Sequence, residues 1–356
     1  MTSVKIRKVE ILGSAFLAVL TMLSVAWGQS GKPTSLADLA AYTGADREQM
    51  LVAGAKIEGK VFWYTSLTGG PNQEIPKAFE AKYPGVKVET YRGSSKDLIA
   101  KILAEAQAKR YLMDTIEGTL PILRAMRDMK LLVPFGSRYL ATYPEGTKEK
   151  AGKGLFFWAS ARETYIGLGY NKNSISPNSL PKSYEDLLRP ELKGKLGFST
   201  TDTGSRVVGA MLKFKGEDYL NRLKAQTITL YAISGRALLD LVISGEVGAS
   251  PTIFRSQATT SIGKGAPIGW VPMDIVPTNA GGVAVAARSP HPHAALLLLD
   301  FILGPEGQKI LENFGLESPA KDFGFNRWYP EEGLTTEQYE EVALKWDKLL
   351  RQIGRR

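Results

Sequence analysis

From residue 60 onward, the chain alternates short β-patterned runs with amphipathic helical runs. The run "KVFWYTS" is rich in β-branched and aromatic residues, and "QEIPKAFEAKYPG" then places apolar residues at helical spacing. The same pair recurs as "VKVETY" with "KDLIAKILAEAQAKR", and again as "YLMDTIE" with "LPILRAMRDMKL". Strands that alternate with helices form a mostly parallel sheet covered by helices on both faces. The sequence therefore predicts an α/β fold.

The alternation changes near Thr164, where "TYIGLGYN" forms a long β-patterned run with few breaks. It resumes through "SRVVGAMLKFKG", "RALLDLVISGE" and "VGASPTIF", and "GGVAVAA" then returns as another strand. The later stretch "HPHAALLLLDFILGPEGQKILENFG" predicts a pair of helices. The last predicted helix is "TTEQYEEVALKWDKLLRQIG", which a threonine caps. The change in pattern indicates a second domain.

The first 28 residues have the pattern of a secretory signal peptide. Lys5, Arg7 and Lys8 form a basic region, and the 17-residue run from Ile11 to Trp27 is apolar. This run is shorter than a membrane-spanning helix, which needs ~18 apolar residues. The sequence contains no cysteine, which excludes a cysteine-linked lipid anchor, disulfides and thiolate chemistry. We therefore expect an exported periplasmic protein with a cleavable signal peptide, not a lipoprotein.

Size and charge limit the remaining classes of protein. The chain carries 45 Lys and Arg against 36 Asp and Glu, and its net charge falls from +9 to +7 without the first 28 residues. These charges are scattered and are not interleaved with aromatic residues, so we expect no nucleic-acid partner. The 328 residues after the leader exceed one comfortable hydrophobic core, which implies two domains.

Motifs for catalysis, metals and nucleotides are missing from the sequence. The two histidines, His291 and His293, flank Pro292 at the start of a predicted helix, without partners at the spacing of a triad or a metal site. The stretch "TGSRVVG" lacks the "GK[ST]" ending of a phosphate-binding loop. We expect helix-entry roles for both histidines, no enzymatic activity, no metal site and no cofactor.

Small polar residues recur where predicted strands end and predicted helices begin. In an open α/β sheet the ligand crevice lies at the carboxyl ends of the strands, and helix N-termini there favour anions. Ser, Thr and Asp are also ordinary helix caps, so a purely structural role remains open for each stretch. Six stretches in step with the alternation favour a ligand cleft: "TSLTGG" (65–70), "RGSS" (92–95), "EGT" (117–119), "TTDTGS" (200–205), "SGR" (234–236) and "RSQ" (255–257).

Several stretches resemble, in order, the bacterial extracellular solute-binding proteins of ABC transporters, in the branch that includes ferric-iron binding proteins. The most specific is "HPHAALLLLDFILGPEGQKIL", which is similar to the family pattern "HPxAAxxxxDFxLxxEGQ". The others are "GAKIEGKVFWYTS", "YIGLGYNKNSI", "SYEDLLRPELKGKLGFS", "LVISGEVGAS" and "GKGAPIGWV".

This resemblance implies a two-lobed type II periplasmic-binding fold. Each lobe has a mostly parallel sheet flanked by helices, and hinge strands near Gly167 and Gly281 join the lobes. It also implies a monomer that binds one small-molecule solute and docks transiently on an inner-membrane ABC permease. The implied organisation is a signal peptide at 1–28, a helical lead-in at 29–59, the first lobe at 60–167 and 281–322, and the second lobe at 168–280 and 323–356.

The chain departs from the iron-binding branch at the metal ligands. Two adjacent tyrosines in that branch follow the glycine of a "GE" pair by ten and eleven residues, and this count reaches Arg255 and Ser256 here. The histidine ligand of the branch falls near Thr68 and its glutamate near Thr119, with Glu117 close by. Ferric ions prefer phenolate and carboxylate oxygens, and a guanidinium repels them. We therefore expect no ferric site.

An arginine in a cleft typically pairs with a carboxylate or a phosphate. We predict an anionic organic solute (a carboxylate, phosphonate or sugar phosphate) that Arg255 contacts directly, with Thr203 to Ser205 and Ser66 on facing lobes. The alternatives are surface salt bridges for the arginines, ferric transport with non-standard ligands, and a sensory protein that presents its ligand to a membrane receptor.

The predicted ligand-binding residues are Thr65, Ser66, Thr68, Arg92, Ser94, Glu117, Thr119, Thr203, Gly204, Ser205, Arg206, Arg236, Arg255 and Ser256.

Overall fold

The computed structural model describes residues 1, 33, 35–68 and 70–355. Apart from Met1, the predicted signal peptide lies outside the described residues, as does the start of the predicted helical lead-in. No helix in the described part of the chain is long and apolar enough to cross a lipid bilayer.

The described residues form thirteen strands and twelve α-helices, with six short 3₁₀ turns between them. The strands are β1 (Lys60–Thr65), β2 (Lys87–Arg92), β3 (Thr115–Thr119), β4 (Leu132–Val133), β5 (Lys148–Gly152), β6 (Leu155–Asn171), β7 (Gly197–Ser199), β8 (Ile228–Tyr231), β9 (Ala249–Phe254), β10 (Ile268–Val271), β11 (Val276–Ala286), β12 (Arg327–Trp328) and β13 (Gly354–Arg355). The helices are α1 (Leu36–Ala41), α2 (Arg47–Glu58), α3 (Pro71–Lys82), α4 (Ser95–Gln107), α5 (Leu120–Asp128), α6 (Asp202–Lys215), α7 (Glu217–Leu223), α8 (Gly235–Ser244), α9 (Arg255–Gly263), α10 (Pro292–Leu303), α11 (Pro305–Asn313) and α12 (Thr336–Leu350).

The first-lobe sheet has the order β2-β1-β3-β11-β6. The three strands that helices connect, β1 to β3, pair in parallel, as their alternation with helices predicts. The returning strand β11 pairs antiparallel with both β3 and β6. In the second lobe, β7, β8 and β13 form a parallel sheet, and a parallel bridge between Leu196 and Ala249 places it beside β9.

The strand β6 belongs to both lobes. It pairs with β11 up to Tyr165, and from Ile166 onward it pairs with β9 and then with β10. The sequence predicts this strand from Thr164, whereas it begins at Leu155. The earlier half is a hairpin with β5, which turns through three left-handed residues, Gly152 to Gly154. The predicted two-lobed α/β architecture is therefore present, with a longer crossing strand than the pattern indicates.

The core of the first lobe surrounds α10. Leu296 to Leu299 are all buried, and they pack against α2 and the sheet. The Glu58 carboxylate accepts from the backbone N–H of His293 at 3.1 Å, and the Asp114 carboxylate accepts from that of His291 at 2.8 Å. Anionic groups stabilise a helix N-terminus, so these two carboxylates anchor α10. The predicted helix-entry position of both histidines is confirmed.

The last helix, α12, packs on α6 of the second lobe, the lobe that the family resemblance implies for this segment. Trp346 and Leu350 join the second-lobe core, and the Trp346 ring lies over Gly209. A Cβ atom added at Gly209 would lie 2.6 Å from that ring, which is closer than real Cβ contacts allow. The close approach of α6 and α12 therefore requires glycine at position 209, where any larger side chain would contact the Trp346 ring.

We expect Gly209→Ala to lower the free energy of unfolding by about 1–3 kcal/mol, the usual cost of overpacking a core. Urea unfolding monitored by tryptophan fluorescence measures the change. Gly263→Ala at the end of α9 is the control, because its Cβ atom would meet nothing within 4 Å, so we expect no loss of stability. A Gly209→Ala protein as stable as the wild type would contradict this account of the helix contact.

Candidate functional site

A cavity of about 950 Å³ lies between the two lobes, where six of the described helices begin. The first lobe provides the first turns of α4 and α5, and the second lobe provides those of α6, α8, α9 and α12. The polar stretches at 92–95, 117–119, 200–205, 234–236 and 255–257 each contribute at least one lining residue. The stretch at 65–70 contributes none. Five of the six predicted stretches therefore meet at one cavity.

Hydroxyl groups cover the first-lobe side of this cavity. The Ser95 and Thr119 hydroxyl oxygens lie 3.2 Å apart, at the first turns of α4 and α5. Ile99, Pro121 and Ile122 form an apolar wall next to them. Thr119 thus lies at the predicted site. The neighbouring Ser94 caps α4 through a reciprocal pair of hydrogen bonds with Asp97. Ser94 therefore has the purely structural role of a helix cap, which the sequence leaves open for each polar stretch.

The second-lobe side is built around the start of α6. Thr201, Asp202 and Thr203 line the cavity, and Thr201 is the residue that precedes the helix. The predicted amide donors Gly204 and Ser205 instead donate to the Thr201 carbonyl, at 2.9 and 3.2 Å. A Cβ atom at Gly204 would lie 1.9 Å from the Ser199 carbonyl oxygen, so this close turn requires glycine. Only Thr203 of the predicted trio faces the cavity.

Two of the predicted arginines, Arg206 and Arg236, line the cavity. Arg236 donates to the Ser261 hydroxyl at 2.9 Å and to the Asp240 carboxylate at 2.6 Å, and about half of its side chain is exposed. The Arg206 guanidinium is largely buried and lies 2.6 Å from the carboxylate of Glu331. Both arginines therefore have a carboxylate partner within the chain, and only Arg236 is exposed enough to reach a solute.

Thr65, Ser66 and Glu117 form a separate buried cluster. The Glu117 carboxylate accepts from the Thr65 hydroxyl at 2.8 Å and from the Ser66 backbone at 3.0 Å. Its other oxygen accepts from Arg162 at 2.8 Å. Glu117 is 1% exposed and its oxygens are occupied within the chain, and none of these three residues lines the cavity, so their role as solute contacts stays a prediction. Arg162 lies 45 residues further along the chain, so the sequence pattern does not reveal this partner.

Arg255 does not reach the cavity that Thr203 lines. Together with Ser256 it lines a different depression of about 420 Å³, where it is ion-paired with Glu317 and stacked on Phe323 at 4.5 Å. The prediction that places Arg255 beside Thr203 to Ser205 is therefore corrected. The carboxylate that pairs with Arg255 is Glu317 of the same chain. The remaining predicted residues, Thr68 and Arg92, are exposed and line none of the described cavities near the crossing strands.

The helix α12 contributes lining residues that the sequence analysis misses. Thr336, Tyr339 and Glu340 form part of the cavity wall, together with Phe254 and Gln257 of the second lobe. Burial raises the pKa of the Tyr339 phenol to about 12, and the Arg206 guanidinium opposes this shift. Tyr339 is therefore a neutral hydroxyl at physiological pH. The predicted threonine cap locates the start of α12, but no sequence pattern indicates that this helix lines the cavity.

Metal ligands are not clustered in the described part of the chain, where no group of three or more His, Cys, Asp or Glu residues could hold an ion. His291 lies 2.8 Å from Asp114 and His293 lies 2.7 Å from Glu58, in pairs at the start of α10. The donors at the cavity are hydroxyls, amides and guanidinium groups. Asp202, Glu340 and Tyr339 add two carboxylates and a phenol to this set.

Comparisons with known proteins agree with this architecture. The chain is 26% identical over 242 residues to the Fe(3+)-binding periplasmic protein of Serratia marcescens, a match that covers 65% of this chain and 70% of that protein. Its fold is similar to that of iron-bound HitA from Pseudomonas aeruginosa, with a TM-score of 0.59 and 24% identity over 83% of this chain and 99% of the other. It is also similar to the periplasmic binding protein AfuA from Actinobacillus pleuropneumoniae, solved with fructose-6-phosphate, with a TM-score of 0.57 and 21% identity over the same shares.

The family of bacterial extracellular solute-binding proteins has a sequence profile that matches residues 61–317, which is more than half of this chain. Together with the two lobes and the crossing strands, this match shows that the chain is a member of that family and has the type II periplasmic-binding fold.

Proposed function

We propose that this protein is the periplasmic solute-binding component of an ABC importer, and that it captures a small organic anion in the cavity between its lobes. The observation that carries the proposal is the meeting of six helix N-termini at that cavity. Each helix N-terminus presents free N–H groups and about half a positive charge. An anion placed there is stabilised by several helices at once.

The charged side chains around the cavity are paired or screened, so they do not cancel the positive potential of the helix N-termini. Arg206 is neutralised by Glu331, and Arg236 is shared with Asp240. Asp202 and Glu340 are exposed at the rim, where solvent screens their charge. The helix N-termini and the exposed edge of Arg236 therefore supply the net attraction, and they favour a negatively charged group.

The remaining surface of the cavity supports an organic molecule as the solute. Ile99, Pro121, Ile122 and Phe254 provide apolar surface, and the hydroxyls of the cavity wall provide hydrogen bonds. A volume of about 950 Å³ lies at the upper end of small-molecule sites. A carboxylate, a phosphonate or a sugar phosphate fits both surfaces, and the similarity to a protein that binds fructose-6-phosphate supports the last of these.

Capture proceeds in this proposal by hinge closure, without a chemical step. The hinges are the point where β6 changes partner, next to Gly167, and the bulge of β11 between Gly281 and Gly282. Rotation there brings Ser95 and Thr119 towards Thr201 and buries the solute between two rigid lobes. The closed protein, a monomer, then docks on an inner-membrane permease. The lobes at 60–167 with 281–322 and at 168–280 with 323–356 stay part of this proposal, with Tyr329 as the residue of the last segment that packs into the first-lobe core.

A panel of solutes tests the proposal directly. We expect citrate, phosphonoacetate or fructose 6-phosphate to raise the melting temperature, because a ligand of the folded state stabilises it. Glucose and putrescine are the neutral and cationic controls. Arg236→Gln should weaken binding of the best anion at least about tenfold, since a hydrogen bond to a charged group contributes about 1.5–3 kcal/mol.

Arg222→Gln is the matched control for Arg236→Gln. Its guanidinium is paired with Glu185 on the exposed surface, outside the cavity, and we expect it to bind the anion as the wild type does. A melting temperature that rises with putrescine and with none of the anions would overturn the proposal.

We expect no tight ferric binding, even when citrate or phosphate is supplied. A guanidinium and a hydroxyl stand where the tyrosine pair of the iron-binding branch is expected, and Arg255 points to Glu317. The one tyrosine that lines the described cavity, Tyr339, has a pKa raised to about 12, which disfavours a phenolate ligand. Dialysis against ferric citrate followed by metal analysis measures the outcome. Stoichiometric iron with a visible absorption band would contradict this expectation.

We expect Arg255→Ala to leave the affinity for the best anion within about twofold of the wild type, since the Arg255 guanidinium is paired with Glu317 in a separate depression and does not line the cavity. The free energy of unfolding should fall by about 1 kcal/mol, a low value because solvent screens this part-exposed arginine. Burial raises the pKa of the Glu317 carboxyl, and Arg255 opposes that shift. The loss should therefore be small at acidic pH, where Glu317 is protonated, and grow as pH rises through this raised pKa.

Titration calorimetry and urea unfolding from pH 4 to pH 8 separate these two effects of Arg255→Ala. Arg222→Ala serves as the control for the removal of an exposed ion pair. A tenfold loss of solute affinity with unchanged stability would restore Arg255 as a direct solute contact.

A further inference from the structure

Between β11 and α12 the chain makes another connection between the lobes, formed by residues 327–331. Trp328 packs into the second-lobe core, whereas Tyr329 packs into the first-lobe core that surrounds α5. The Tyr329 hydroxyl donates to the buried Glu163 carboxylate at 2.8 Å, on the crossing strand β6. We call residues 327–331 the C-terminal link. It lies beyond the part of the chain that the family profile matches, which ends at residue 317.

The last residue of the C-terminal link, Glu331, contacts an arginine from each lobe. Its carboxylate lies 2.6 Å from the guanidinium of Arg206 on α6, in the second lobe. Its backbone carbonyl accepts a hydrogen bond from the guanidinium of Arg124 on α5, in the first lobe. The Glu331 side chain is only 3% exposed. A single buried residue therefore joins the two helices across the lobes.

These three groups have an incomplete set of partners. Arg124 is 1% exposed, and burial lowers its pKa while the Glu331 carboxylate opposes that shift. Within the described residues, no hydrogen-bond partner is found for Nε and Nη1 of Arg124, for Nη1 of Arg206 or for Oε2 of Glu331. Two buried guanidinium groups thus depend on Glu331: Arg206 on its carboxylate and Arg124 on its backbone carbonyl. Removal of one member of such a group leaves a buried charge uncompensated, which is strongly unfavourable.

Arg206 connects this cluster to the solute cavity. It lines the cavity wall, and its guanidinium carbon lies 5.9 Å from the centre of the Tyr339 ring. Glu331 is its only ion-pair partner among the described residues. The place of the Arg206 guanidinium at the cavity wall is therefore determined by Glu331, which itself does not line the cavity.

We propose that Glu331 is a positioning residue for solute capture: it fixes Arg206 at the cavity wall and ties it to Arg124 across the lobes, without contact to the solute. This inference rests on the proposed function, because it assigns Arg206 to the site of the organic anion. It gives the C-terminal link a role in the geometry of binding that residues 61–317 alone do not supply.

The first experiment measures the affinity of Glu331→Gln for citrate and for fructose 6-phosphate by titration calorimetry. We expect binding at least about tenfold weaker than in the wild type, because a buried guanidinium without its carboxylate is strongly unfavourable and Arg206 would leave its place at the cavity wall. Glu332→Gln is the matched control, because Glu332 is the next residue, is exposed and has no described ion pair. It should bind as the wild type does. Equal affinities for Glu331→Gln and Glu332→Gln would overturn the positioning role.

A second variant, Arg124→Met, keeps the proposal testable if the Glu331→Gln protein does not fold. Arg124→Met removes the donor from the first lobe and leaves Arg206 and Glu331 as a matched pair, and an apolar side chain is tolerated in such a place. We expect this variant to fold, and to show a larger radius of gyration in small-angle scattering without solute, because the tie between lobes is lost. Its affinity should fall less than that of Glu331→Gln. An unchanged scattering profile would overturn the tie across the lobes.

The two proposals fail in different ways. If the wild type binds neither citrate nor fructose 6-phosphate nor any other anion, the proposed function fails. The scattering profiles of the free Arg124→Met and Glu331→Gln proteins still decide whether Glu331 holds the lobes together. If the wild type binds an anion and Glu331→Gln binds it equally well, only the positioning role fails.

Discussion

The fold depends on a buried carboxylate at the crossing of the two lobes. Glu163 is fully buried on β6, and it accepts from the hydroxyls of Tyr165 at 2.7 Å and Tyr329 at 2.8 Å. Arg327 lies 3.2 Å from the same carboxylate. Burial raises the pKa of Glu163, and these hydrogen bonds and the Arg327 charge oppose the shift. A buried charge is tolerated only when it is paired and hydrogen-bonded. Glu163 therefore holds β6 and the C-terminal link together at the point where both lobes begin.

Around this crossing, the alternation of strands and helices places helix N-termini on both sides of one cavity. Each βα turn ends a strand and starts a helix at the same edge of its sheet, so first turns from the two lobes face each other. Thr119 of the first lobe and Thr201 of the second lobe illustrate this arrangement, since each directly precedes a helix at the cavity. The meeting of these helix N-termini at one cavity thus follows from the topology of the backbone.

The sequence predicts the local elements well and their distant partners poorly. The periodicity of "HPHAALLLLDFILGPEGQKIL" predicts α10 and α11, and five of six polar stretches reach the cavity. The lone Arg255 at the end of an apolar strand indicates a buried charge, but its partner Glu317 lies 62 residues away. Glu331 likewise contacts Arg206 and Arg124 from a segment that no local pattern connects to them. Pattern and propensity act over a few residues, whereas charge pairing depends on the completed fold.

The placement of α10 in the first-lobe core has a consequence for how the chain reaches its native state. His293 at the start of this helix is bonded to Glu58, 235 residues earlier in the chain. A nascent chain that ends before residue 290 has made β1, α2 and α3 but not the leucine-rich helix that covers them. Contacts over such separations carry a large loop-closure entropy and form late. The first-lobe core consequently stays incomplete for most of the synthesis of the chain, and its apolar surface lacks its cover until α10 has been made.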